Sequence, residues 1–186
     1  GGRRLVVVGV GRIGSEIMRL GQAVGLDVLG VDLVPQPDVF PYAAFSEALP
    51  TADILVCAMN LTADNHGYFN AHALAAAKRG LIFVNVARGE LAVEADLLRL
   101  LEAGRLGGVG LDVYGAEPDL AVALRQGRTS TRCALFHELA ARPDVIMTPH
   151  NAFNTAEAVA RKAEQSIMQL VTLASQGTFR WPVPIS

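Results

Sequence analysis

A run of apolar, mostly β-branched residues, Leu5-Val6-Val7-Val8, breaks at Gly9, and glycines recur at Gly11 and Gly14 before a helical stretch that sets in at Ser15. Few patterns restrict a fold as much. Strand, glycine turn and helix in this order, at the spacing G-x-G-x-x-G, open a βαβ unit whose backbone can approach a phosphate closely. Gly11 permits a tight turn, and Gly14 lets the helix pack near the strand. The helix runs through Ile17, Met18, Leu20, Gln22 and Val24 and stops at Gly25. Its first amides and its dipole offer an anion site suited to a pyrophosphate. A second strand, Asp27–Val31, ends at Asp32. A carboxylate there accepts hydrogen bonds from both ribose hydroxyls of an adenosine and repels a 2′-phosphate, which points to NAD rather than NADP. The plainer alternative is a glycine-rich turn in an ordinary α/β domain, with Asp32 a solvated strand end.

Further strands are expected at Asp53–Ala58, Leu81–Val86, Gly108–Val113 and Asp144–Met147, the fourth apolar throughout, as buried parallel strands are. Helices are expected at Phe45–Leu49, at Ala71–Arg79 behind an Asn70 cap, at Glu94–Ala103, at Phe136–Ala141 and at Thr155–Ser175 before Gly177. Prolines 35, 37 and 41 mark a loop, and the stretch from Tyr114 to Arg132 reads as a long polar connection. Alternating strands and helices predict a doubly wound parallel sheet of the Rossmann type, with right-handed crossovers. The expected organisation is one domain over 1–177 and a short tail over 178–186.

Size and composition agree. The 186 residues are 51% hydrophobic, enough for a full core. A net charge of −2 without a basic run argues against a nucleic-acid surface. No apolar run could span a membrane and no leader peptide is visible, so the expected setting is cytoplasmic. Cys57 and Cys133 lie far apart, with no metal or disulfide spacing. Cys57 reads as a small buried hydrophobe.

In such sheets the ligand lies beyond the carboxyl ends of the strands. Asp32, Asn60, Arg88, Glu117 and His150 each follow a strand, and this clustering suggests one site. Arg88 presents a planar fork of donors suited to a carboxylate or a polarised carbonyl. His150, stiffened by Pro149, has the pKa of a proton donor or acceptor near neutrality. Glu117, paired with it, would favour the imidazolium. Asp112 could meet a nicotinamide amide or cap the next turn. Ser15 could touch phosphate or cap its helix. His66, His72 and His137 read as surface or capping residues. No G-x-S-x-G elbow supports a hydrolase triad, and Tyr68 has no lysine four residues on, so a Tyr-Lys relay is absent.

Four stretches together carry a resemblance: Val8–Gly14, Val84–Glu90, Gly110–Tyr114 with Glu117-Pro118, and Thr148–His150. In this order they resemble the nucleotide-binding domain of the D-isomer-specific 2-hydroxyacid dehydrogenases, and the long connection before His150 resembles the D-lactate dehydrogenase branch. The resemblance implies hydride transfer between NAD(H) and a 2-oxo or 2-hydroxy acid. It implies that Arg88 holds the substrate, that His150 is the acid in reduction and the base in oxidation, and that Glu117 keeps His150 protonated. It implies a pyrophosphate cradle of Gly9, Gly11, Arg12, Ile13 and Gly14, with Asp32 on the adenine ribose. Met59, Asn60 and Asn65 would line the groove, with Val86, Ala87 and Asp112 near the nicotinamide. A homodimer is also expected.

Two departures stand out. The family usually has proline where Asn60 stands. Its members also carry a substrate domain, about half of it before the glycine turn, whereas only Gly1–Arg4 precede the first strand here. The expectation is therefore a cofactor domain lacking most of the substrate domain, inactive alone, with the tail as the stump of the chain's return. The competing readings are a non-catalytic NAD(H) sensor or corepressor-like module and, more remotely, a methyltransferase.

Overall fold

The computed structural model describes residues 2–115, 117–128, 131–151 and 154–182. Six strands form one sheet: β1 (Arg4–Val8), β2 (Asp27–Val31), β3 (Ile54–Cys57), β4 (Leu81–Asn85), β5 (Leu106–Leu111) and β6 (Val145–Met147). All five pairings are parallel, in the order β2-β1-β3-β4-β5-β6. The doubly wound parallel sheet read from the alternation is the observed one. Val8 sits in register with both Val31 and Cys57, so the ends of β1, β2 and β3 are level. The chain leaves β1 for one neighbour and returns to the other side with β3, which makes the β1–β3 edge the switch point of the sheet.

Both faces are covered, as continuous apolar strands require. On one face Leu5, Val7, Val28 and Val56 pack with Met18 of α1 (Arg12–Ala23) and with Phe40. Gly14, Met18 and Gly21 form the buried stripe of α1. On the other face Phe69, Phe83, Leu91, Leu97 and Leu101 form the larger cluster, Leu97 and Leu101 coming from α3 (Glu94–Glu102). Cys57 is enclosed there, and burial pushes its thiol up to about 12, so it behaves as an inert hydrophobe.

Three local expectations are corrected. No helix forms over 71–79. Asn70 Oδ1 does accept the Ala73 N–H at 3.0 Å, as a cap would, but the Asp96 carboxylate takes the Ala71 amide at 2.7 Å and Arg105 takes the Ala75 carbonyl at 2.6 Å. The backbone follows in turns such as Ala77 N–H to Leu74 O, so tertiary partners outweigh alanine's helix propensity. The connection after Tyr114 is not irregular throughout, because it contains α4 (Glu117–Arg125). Its acidic first turn and basic last residue suit the helix dipole, but Leu120 is its only buried residue, so its periodicity is faint. Further along, α5 (Thr131–Ala140) begins five residues before the expected Phe136. The short turn at Phe45–Ala48 (α2) is as expected, and β5 starts two residues before its predicted position.

The chain divides into two compact units, Gly1–Pro149 and His150–Ser186. The boundary expected after residue 177 falls inside the second unit, at the end of α6 (Ala156–Gln176). Thr155 Oγ1 caps α6 by accepting the Ala158 N–H at 3.1 Å, and Gly177 closes it with φ +72°. Gln169 then holds Trp181 through both amide groups. Of the expected connection, 116, 129 and 130 lie outside the described residues, as do 183–186 of the tail. Among the described residues no helix is long and apolar enough to cross a membrane, and no cluster suits a metal.

Candidate functional site

Because every strand is parallel, the segments that leave them emerge along one edge of the sheet. The glycine turn comes first. Gly9 has φ +90°, and a Cβ on it would meet the backbone of Met59 at 2.4 Å, so the tight turn belongs to Gly9 rather than to Gly11. A Cβ on Gly14 would lie 2.0 Å from the Gly9 carbonyl oxygen. These two glycines are demanded by the protein's own packing. Gly11 is not: its φ is −77° and a Cβ there would meet nothing within 4 Å. What glycine provides at this position is open ground beside the backbone.

That ground faces the start of α1. Gly11 caps the helix without a side-chain bond, and no acidic residue stands in the first turn. The amides of Arg12, Ile13 and Gly14 precede the first intrahelical bond, Ser15 N–H to Gly11 O at 2.9 Å. Ser15 turns its hydroxyl back to the Gly11 carbonyl at 2.7 Å. The positive end of the helix is thus left without an internal anion.

Asp32 ties β2 to this turn. One carboxylate oxygen accepts the Val10 N–H at 2.6 Å and the other the Val34 N–H at 3.0 Å. Each oxygen keeps a lone pair for a further donor, such as a ribose hydroxyl. Next to it in the chain, Leu33 is fully exposed and Val34 largely so, an apolar ledge that the sequence reading missed. Beyond β3, Met59 rests against Gly9 and Asn60 is exposed. Asn65 gives both amide groups to its own loop, donating to Asn60 O and accepting from Thr62 N–H, each at 2.8 Å. It shapes the groove wall.

The loops after β4 and β5 lean on each other. Val86 is half-buried, Ala87 is buried, and Arg88 is exposed with an extended backbone, its Nη1 donating to Ala87 O at 2.6 Å. A Cβ on Gly89 would fall 1.9 Å from the Tyr114 carbonyl carbon, so the two loops are flush. Glu94 accepts the Gly115 N–H at 2.8 Å. Glu117 accepts the Tyr114 N–H at 2.9 Å. Asp112, the first residue past β5, accepts the Thr148 hydroxyl at 2.5 Å, and the buried Tyr114 hydroxyl donates to the Thr148 carbonyl. Burial and the neighbouring Asp112, Glu117 and Glu94 carboxylates push the Tyr114 phenol up to about 12, which keeps it a donor at neutral pH.

Asn85 and Tyr114, which lie within the motif stretches with no role legible from sequence, are the side chains that brace these loops. Neither has a spacing signal, because each bonds to main chain. His150 opens the second unit. It is half-buried and has φ +48°, the only positive φ outside glycine among the described residues. Backbone strain of this kind concentrates at functional positions.

The residues fit a dinucleotide. An uncapped helix start, open space at Gly11 and an acceptor at the end of β2 match a pyrophosphate and an adenosine ribose in turn. Along one edge the first unit brings together Gly9, Gly11, Arg12, Ile13, Gly14, Asp32, Met59, Val86, Ala87, Arg88 and Asp112, with Glu117 bonded at Tyr114.

Known proteins match the chain over most of its length. The chain is 34% identical over 183 residues to a D-lactate dehydrogenase of Streptococcus pyogenes serotype M1, covering 96% of this chain and 55% of that protein. It is 32% identical over 166 residues to a glycerate dehydrogenase of Methylorubrum extorquens, covering 89% of this chain and 48% of that one. The solved D-lactate dehydrogenase of Aquifex aeolicus, in complex with NAD and lactic acid, superimposes with a TM-score of 0.87 at 28% identity over 97% of this chain and 58% of its own. The chain therefore spans about half the length of the relatives it matches. A model of the D-isomer specific 2-hydroxyacid dehydrogenase NAD binding domain matches residues 1–152, and the chain belongs to that family.

Proposed function

We propose that this chain is the cofactor-binding part of an enzyme that moves a hydride between NAD(H) and a 2-oxo or 2-hydroxy acid. We place it in a longer, homodimeric, cytoplasmic protein whose substrate domain completes the pocket. The observation that carries the reading is the shared strand edge, where the glycine turn, Asp32, Arg88 and Asp112 all follow parallel strands.

NAD(H) supplies the hydride, and the residues of this chain do the rest. The turn residues Gly9 to Gly14 would hold the pyrophosphate, and Asp32 would hold the ribose. Val86, Ala87 and Asp112 would flank the nicotinamide, with Met59, Asn60 and Asn65 as the groove wall. Arg88 binds the substrate carboxylate and polarises the carbonyl. His150 would be the proton donor to the carbonyl oxygen in reduction and the proton acceptor in oxidation. Glu117 is the carboxylate assigned to support His150, as the family resemblance implies. Closure by a second domain would exclude water from the transfer.

Fluorescence titration of the chain with NADH and NADPH tests the cofactor half of this reading. NADH should bind, and NADPH about tenfold more weakly, a difference of ~1.4 kcal/mol. Equal affinities would remove the Asp32 assignment, and no NADH binding would remove the reading. With pyruvate, the chain alone should oxidise NADH at a small fraction of a complete dehydrogenase's rate.

A further inference from the structure

Asn85 is fully buried, and a polar side chain in that position must be satisfied. It is satisfied by the Arg88 loop. Its Nδ2 donates to the Arg88 carbonyl at 2.8 Å, and its Oδ1 accepts the Ala87 N–H at 3.1 Å. Its own carbonyl accepts the Asp112 N–H at 3.0 Å, which sets the first residue past β5 as well. We propose that Asn85 is the positioning residue for Arg88, its amide bridging three residues of the loop so that the guanidinium leaves the sheet edge from a fixed backbone. The proposal rests on the role given to Arg88 above and adds what holds it in place.

The bridge requires an amide. One end must donate and the other accept, as the asparagine amide does. A buried aspartic acid, neutral and carrying an O–H, could rebuild the bridge, whereas leucine keeps the shape and supplies neither group. The far end of the loop is fixed separately, by Gly89 lying flush against Tyr114 and Gly115. With both ends held, the freedom left to Arg88 is that of its own side chain, whose Nη1 already rests on the Ala87 carbonyl.

The test uses the 186-residue chain with NADH. In the unsubstituted chain the Asn85 side-chain N–H protons should exchange about tenfold more slowly than those of the exposed Asn60. In Asn85→Leu, exchange of the Ala87 amide should quicken about tenfold and the Arg88 amide and Nε–H resonances should shift, with NADH affinity within about twofold. Oxamate, a 2-oxo carboxylate probe, should perturb NADH fluorescence about tenfold more weakly than in the unsubstituted chain, as in Arg88→Gln. A general loss of structure would move NADH affinity too. Asn85 protons that exchange as fast as those of Asn60 overturn the proposal even if the variant does not fold, and so do unchanged Ala87 and Arg88 signals in a folded Asn85→Leu chain. If those signals move but oxamate has no Arg88-dependent effect on the unsubstituted chain, the bridge stands and the role given to Arg88 falls.

Discussion

The turn after β1 and the loop after β4 both end buried parallel strands at the same edge, yet they are held by opposite means. The turn is held by absence. Gly9 and Gly14 pack where a methyl group would collide, and Gly11 keeps a surface clear. The loop is held by presence. Asn85 bridges it, Glu94 and Tyr114 brace its neighbour, and each does so by bonding to main chain. One arrangement leaves backbone donors pointing outward for a ligand, while the other uses buried side chains to aim an exposed one.

Substitutions should separate the two means. The largest effect belongs to Gly14→Ala, whose Cβ would lie 2.0 Å from the Gly9 carbonyl oxygen. Urea unfolding should show a loss of ~3 kcal/mol, the upper range for overpacking, together with loss of NADH binding. A loss below ~1 kcal/mol would mean that the turn yields. Next comes Tyr114→Phe, which removes the donor to the Thr148 carbonyl at constant shape. It should cost ~1 kcal/mol in the same measurement and leave NADH affinity unchanged. The smallest effect on stability is at Gly11→Ala, within ~0.5 kcal/mol, because the new methyl group meets nothing. Its NADH affinity should nevertheless fall about tenfold, since the methyl group occupies the ground the pyrophosphate needs. Unchanged affinity would make Gly11 a turn residue and no more.

The same contrast explains what was legible in the sequence. Glycine spacing, apolar strand runs and the acidic end of β2 follow from backbone sterics and burial. They are local, and they located the six strands and the edge where Asp32, Arg88 and Asp112 emerge. The bracing of Arg88 by Asn85 spans three residues and leaves no periodicity. That of Thr148 by Tyr114 joins positions 34 apart. The helix expected over 71–79 failed for a related reason, because Asp96 and Arg105, 25 and 30 residues away from their partners, take its Ala71 amide and Ala75 carbonyl. The α4 helix was missed because a single buried leucine gives no stripe to read.

The left-handed backbone at His150 bears on how this position can be probed. An alanine there would remove the ring and also put a residue less suited than histidine to left-handed backbone, so a fall in stability would be entangled with any change in chemistry. Asparagine tolerates that conformation and cannot protonate near neutrality, which makes His150→Asn the replacement that alters the proton inventory while sparing the main chain.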